Sequence, residues 1–117
     1  THSWWDSVDT IAKYLLGGYL QQYPDEISDV VARFSASDNM WLNRAAILFQ
    51  LGYKSATDEK LLFCECEKHR HSKEFFIQKA IGWALREYAK IDPDAVKAFV
   101  AKAGLKPLST REALKNL

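Results

Sequence analysis

Trp5 and Asp9 stand four positions apart in Ser3-Trp4-Trp5-Asp6-Ser7-Val8-Asp9. On a helix this spacing puts the carboxylate one turn beyond the indole, on the same face. A π face beside a negative charge attracts a cation. Val8 and Ile11 are expected to point toward the core, which would leave Asp9 near its edge. The plainer alternative is a helix start in which both tryptophans pack and Asp6 or Asp9 supports the N-terminal dipole.

A second group lies far along the chain. Lys79, Trp83 and Arg86 follow one another at spacings of four and three, so they share a stripe. That stripe falls off the apolar face made by Ile77, Ala80, Ile81, Ala84 and Leu85. Two bases offer contact to phosphates, and the indole offers a flat surface. Gly82 removes a side chain beside them, which lets a ligand or a neighbouring backbone approach. Arg44, 35 residues before Lys79, is expected at the equivalent place on an earlier helix, extending the basic line. The competing reading is a partly buried Trp83 with Lys79 and Arg86 snorkelling around it.

Cys64, Cys66, His69 and His71 have the side-chain types of a metal site but not the spacing. On one helix Cys64 and Cys66 point about 200° apart and cannot easily share an ion, so no metal site is expected. Cys64 is expected to be a small core residue, with the histidines at a positively charged helix end.

These groups need helices to position them, and the rest of the chain supplies helical patterns. The chain has 117 residues, the size of one domain, with 48% hydrophobic and 26% charged residues. That balance excludes disorder as the main state. No apolar run is long enough to span a bilayer. No signal peptide is expected at the start of the sequence, because Asp6 and Asp9 follow Trp4 and Trp5 at once. With only two cysteines, a reducing, cytoplasmic setting is expected. The formal charge is +1, yet from Lys68 onward eleven bases stand against five acids. A basic second half is compatible with a polyanion partner, or with ordinary solvated helix faces.

Apolar residues recur at helical spacing throughout. Val8, Ile11, Ala12, Leu15 and Leu16 form a first stripe, ended or kinked near Gly17-Gly18. A second helix follows Pro24 and carries Ile27, Val30, Val31 and Phe34. Ser37 or Asp38 is expected to cap a third, Thr57 a fourth and Ser72 a long fifth. Pro93 opens a sixth that Gly104 closes, and Ser109 with Glu112 has capping-box spacing for a last helix running to the chain end. Seven helices with short connections predict an all-α fold. Trp41-Leu42-Asn43-Arg44-Ala45-Ala46 matches Phe76-Ile77-Gln78-Lys79-Ala80-Ile81 in residue type at an offset of 35. A period of this length predicts a helical-repeat stack of tetratricopeptide or HEAT type, an α-solenoid, as a single domain over residues 1–117, with its second helices along one concave surface. An irregular helical bundle with chance similarity is the alternative.

The longer blocks carry a resemblance. Ser3 to Asp9, Ser37 to Leu42 with Arg44 to Gln50, Ser72 to Trp83 continued by Leu85 to Tyr88, and Leu108-Ser109 with Arg111-Glu112-Ala113-Leu114 together resemble the DNA alkylation repair enzymes of the AlkD type. These are HEAT-like-repeat DNA glycosylases, and the resemblance is to their C-terminal part, over essentially the whole chain. It implies an enzyme that removes positively charged N3- or N7-alkylated purines from duplex DNA, in a bacterial cytoplasm. It implies Asp9, Trp5 and Trp83 as the catalytic cleft, with Arg44 and Arg86 contacting DNA; the stripe adds Lys79. No cofactor, metal or membrane takes part on this reading. Full-length relatives carry more helices before the Trp-Trp-Asp block and tend to have lysines where His2 and Gly52 stand. Such N-terminal repeats, or a partner chain, are expected to cover the first helix. The alternative is a catalytically inactive helical-repeat module that binds DNA or protein through the same concave face, and a third reading is pure scaffold.

Overall fold

Side-chain oxygens and prolines at helix starts divide the chain into short rods. The computed structural model describes residues 16–115. Trp5, Asp9 and most of the first expected stripe lie outside these residues. The described part begins with α1, Gly17–Gln22. Pro24–Glu26 forms a single 3-10 turn leading into α2, Ile27–Ala36. Next come α3, Met40–Leu48, a 3-10 turn at Lys54–Ala56, and α4, Glu59–Lys68. The long α5 spans Phe75–Ala89, followed by α6, Pro93–Ala103, and α7, Pro107–Ala113. The described residues are all-helical, as expected.

Several helix starts differ from the sequence reading by one or two residues. Asn39, not Ser37 or Asp38, caps α3, its Oδ1 accepting from the Trp41 amide at 2.9 Å. Asp58, not Thr57, caps α4 through the Leu61 amide at 3.1 Å, while Thr57 donates its hydroxyl back to the Lys54 carbonyl. Ser72 accepts from the Glu74 amide just ahead of α5 and does not cap the helix. For α3 and α4 the neighbouring polar side chain satisfies an orphan donor equally well, and local loop geometry chooses between them, whereas α5 follows Glu74 with no side-chain cap. Asp92 caps α6, Pro93 sits in its first turn, and Gly104 closes it with φ 65° and ψ 40°, where only a residue without Cβ sits easily.

At the expected end or kink near Gly17-Gly18, a π turn at Leu16 gives way to α1, which begins at Gly17, and the Tyr53 hydroxyl donates to the Gly17 carbonyl at 2.5 Å; the stripe before it lies outside the described residues. One expectation fails outright. The last helix starts at Pro107, whose missing N–H costs nothing in a first turn, and it ends at Ala113. Ser109 and Glu112 therefore form no capping box. Both side chains point across to α5.

The helices pack as α2 on α3, α3 on α5, α5 on α6 and, most extensively, α5 on α7. The second helix of each successive pair thus lies beside the next, in the order α3, α5, α7. The 35-residue offset has a direct counterpart here. Trp41 and Phe76, at matching positions on α3 and α5, have ring centroids 5.1 Å apart. The main core gathers Ile47, Leu62, Cys66, Ile81, Leu85 and Val96 from α3 to α6, and Ala113 from α7. A smaller core joins Leu20, Val31, Ala46 and Phe49. Sitting between the two cores, α3 is buried on nearly all sides, and residues 44–50 are buried without a break. Outside this layer, Phe63 of α4 stacks on Phe99 of α6 at 4.2 Å, only 12° from parallel.

Candidate nucleic-acid interface

Lys79, Gly82, Trp83 and Arg86 lie on one sector of α5, because 3.6 residues per turn bring positions three and four apart together. Among these residues Gly82 is buried, and α7 passes over it. A Cβ built on Gly82 would stand 2.5 Å from the Glu112 Cβ and 3.2 Å from the Ser109 carbonyl oxygen. The glycine therefore admits a neighbouring helix. The Ser109 hydroxyl fixes the approach by donating to the Gln78 carbonyl at 2.9 Å.

Glu112 then reaches both cations of the stripe. Its Oε1 lies 3.0 Å from Lys79 Nζ, and its Oε2 lies 3.3 Å from Arg86 Nη1. The hydrogen bond from Lys79 holds the Glu112 carboxyl below the usual carboxylate range against the opposing effect of desolvation, and the charges of Lys79, Lys115 and Arg86 add to it. The Lys79 and Arg86 side chains are 40% and 28% exposed while Glu112 is 14% exposed, so the cations face water and the carboxylate sits beneath them. Trp83 is half-buried and packs against the main core. The stripe is thus no free polar face. It is the rim of the α5–α7 contact, with an indole rooted in the core.

Arg44 sits differently from Lys79. It is 5% exposed, its guanidinium donates to the Phe76 carbonyl, and its Cζ lies 5.8 Å from the centre of the Phe76 ring. The expected even basic line from α3 to α5 is therefore broken by depth. The physical reason is the burial of α3 between two cores, which turns position 44 inward. Arg44 ties α3 to the first turn of α5, and Trp41 and Phe76 pack alongside. Of the residues expected to form one cleft, Trp83 is described, while Trp5 and Asp9 lie outside the described residues.

Glu112 has the spacing of a cap, and its tie to Lys79 and Arg86 appears only in the packed structure. The signal was present only as two bases seven positions apart with no acid on their own helix between them. The acid comes from 26 and 33 residues away. Cys64 and Cys66 also exchange roles: Cys66 is the core residue, fully buried with its thiol pushed up by desolvation, and Cys64 is exposed. His69 shares a 2.9 Å hydrogen bond with the Ser35 hydroxyl, and burial holds its pKa below the ordinary value. Among the described residues no three His, Cys, Asp or Glu side chains gather to hold a metal ion, and no helix is long and apolar enough to cross a membrane. A cavity of about 340 Å³ opens among Ile47, Leu51, Leu62, Ala84 and Tyr88, with none of the stripe residues in its wall.

The family model described as DNA alkylation repair enzyme matches residues 1–117. Among solved structures, the chain is similar to a predicted DNA alkylation repair enzyme from Enterococcus faecalis, with 38% identity and a TM-score of 0.89. The match covers 98% of this chain and 54% of that one, so the chain spans about half the length of that protein. No curated protein matches the chain.

Proposed function

The chain belongs to the DNA alkylation repair enzyme family, and we propose that it acts as a DNA glycosylase on positively charged N3- or N7-alkylated purines in duplex DNA. The observation that carries this reading is the α5 stripe: a half-buried indole, Trp83, between two solvent-facing cations, Lys79 and Arg86. This arrangement suits a duplex whose phosphates need cations and whose damaged nucleotide needs a π surface. Lys79 and Arg86 take DNA contacts. Arg44 joins them on the family resemblance, but at 5% exposed its part is to hold α3 against the first turn of α5 through the Phe76 carbonyl and so shape the contact surface.

In the proposed reaction the alkylated purine already carries a positive charge. The glycosidic C–N bond breaks with its electron pair going to the base, which departs neutral and needs no general acid. Water adds its oxygen to the sugar carbon and loses a proton to the solvent. The sugar becomes oxocarbenium-like along the way, and the Asp9 carboxylate stabilises that charge and orients the water. Trp5 and Trp83 present π faces to the cationic sugar. Removing one preorganised electrostatic partner of this kind costs about 3 kcal/mol, or roughly a hundredfold in rate. The reading sets the protein to work on DNA in a bacterial cytoplasm.

The test is release of 7-methylguanine from methylated duplex, with Asp9→Asn in parallel. Release by the parent chain, slowed about a hundredfold in Asp9→Asn with duplex binding retained, is the expected result. Duplex binding without release would leave a non-catalytic helical-repeat module. Absence of salt-dependent binding would remove the DNA reading altogether.

A further inference from the structure

Resting on the reading above, we infer that Glu112 is the positioning residue of the DNA contact, a single carboxylate on α7 that sets Lys79 and Arg86 in place on either side of Trp83. Each carboxylate oxygen serves one cation, Oε1 at 3.0 Å to Lys79 and Oε2 at 3.3 Å to Arg86. The backbone positions of Lys79 and Arg86 stand two helical turns apart, about 10 Å along the axis with Trp83 between, and the one carboxylate draws the two charged heads toward each other. Unrestrained, a lysine and an arginine sample many rotamers and lose that freedom on meeting phosphates. Held by Glu112, they have lost much of it before DNA arrives.

The charges support the same role. Two cations and one carboxylate leave a net positive charge at the rim. A lysine ammonium has three donors and a guanidinium five, so one bond to Glu112 from each is compatible with further bonds to phosphate oxygens. The carboxylate lies deeper than its partners, which keeps it from meeting the incoming backbone first. Ser109 and Gly82 complete the device: the Ser109 hydroxyl docks α7 on the Gln78 carbonyl, and Gly82 leaves the space that the Glu112 Cβ fills.

The full chain is compared with Glu112→Gln, the pair Lys79→Ala with Arg86→Ala, and the triple variant. Ser109→Ala serves as a control for α7 docking. Glu112→Gln is expected to raise the Kd for undamaged duplex, and the KM for 7-methylguanine duplex, about three- to tenfold, with a much smaller change in kcat. In the background lacking both cations, the same substitution is expected to add nothing. Ser109→Ala, which loosens the same docking without touching the ion pairs, is expected to lower the melting temperature and to raise the Kd by less than Glu112→Gln does. An unchanged or tighter Kd in Glu112→Gln overturns the inference, as does an equal loss in the background without the cations. The undamaged-duplex arm needs no chemistry, so it decides the role of Glu112 even if base release, and with it the glycosylase reading, fails.

Discussion

Gly82 and Glu112 occupy one another's space: a Cβ on the glycine would lie 2.5 Å from the glutamate Cβ. Alanine in mid-helix normally gains about 0.5–1 kcal/mol over glycine. Here the obstructing atom is next to the α7 backbone and cannot swing away. Gly82→Ala is therefore expected to lose about 1–3 kcal/mol of stability by overpacking, and to weaken duplex binding by pushing Glu112 off both cations. Thermal melts and duplex titrations check it; a stabilised variant would mean that α7 does not seat on α5 as described.

Glu112 also sets a pH dependence. Its carboxyl pKa is held down, chiefly by Lys79, so the folded state binds a proton there less readily than the unfolded chain. The stability it contributes is present above the unfolded value of about 4.3 and disappears as pH falls through the depressed folded value. The melting-temperature gap between the parent and Glu112→Gln is expected to be steady near neutrality and to close in acid. A gap that persists unchanged below both values would contradict the ion pairs.

Depth separates the roles of Arg44 and Lys79. Arg44→Ala removes a buried, charge-assisted hydrogen bond to the Phe76 carbonyl and is expected to cost about 1.5–3 kcal/mol of stability. Lys79→Ala sits at the solvent edge and is expected to change stability little while weakening binding and lowering its salt dependence. Urea melts beside titrations at two salt concentrations separate the effects. Arg44→Lys is not expected to rescue, because an ammonium cannot reproduce the guanidinium fork.

Trp83 offers a test of the π surface. Trp83→Phe keeps an aromatic face and is expected to retain most of the base release, whereas Trp83→Ala is expected to lose about three- to thirtyfold. Single-turnover kinetics, which isolate the chemical step, are the measurement. Equal rates in the two variants would deny the ring a part.

The two cysteines report on the fold directly. Iodoacetamide is expected to label Cys64 in the native chain and Cys66 only after unfolding, because Cys66 is fully buried with its thiol pKa raised. Peptide mapping reads the sites.

Much of this protein was legible before folding. Ile77, Ala80, Ile81, Ala84 and Leu85 announced the buried face of α5, because burial demands apolar side chains at helical spacing wherever a helix meets its neighbours. Pro93 and Gly104 marked both ends of α6 through backbone geometry that needs no partner. The repeat offset forecast that Trp41 and Phe76 occupy matching places, and their rings do meet. What only the tertiary structure decided is where polar side chains spend their bonds. Ser109 and Glu112 have the spacing of a cap, yet both turn to α5, because Gln78, Lys79 and Arg86 are the partners that packing brings within reach. Arg44 and Lys79 match in sequence and differ in depth, since α3 is enclosed by two cores and the Lys79 side of α5 opens to water. Periodicity is a property of the chain, whereas a hydrogen-bond or ion-pair partner from another helix is chosen by how the helices lie together.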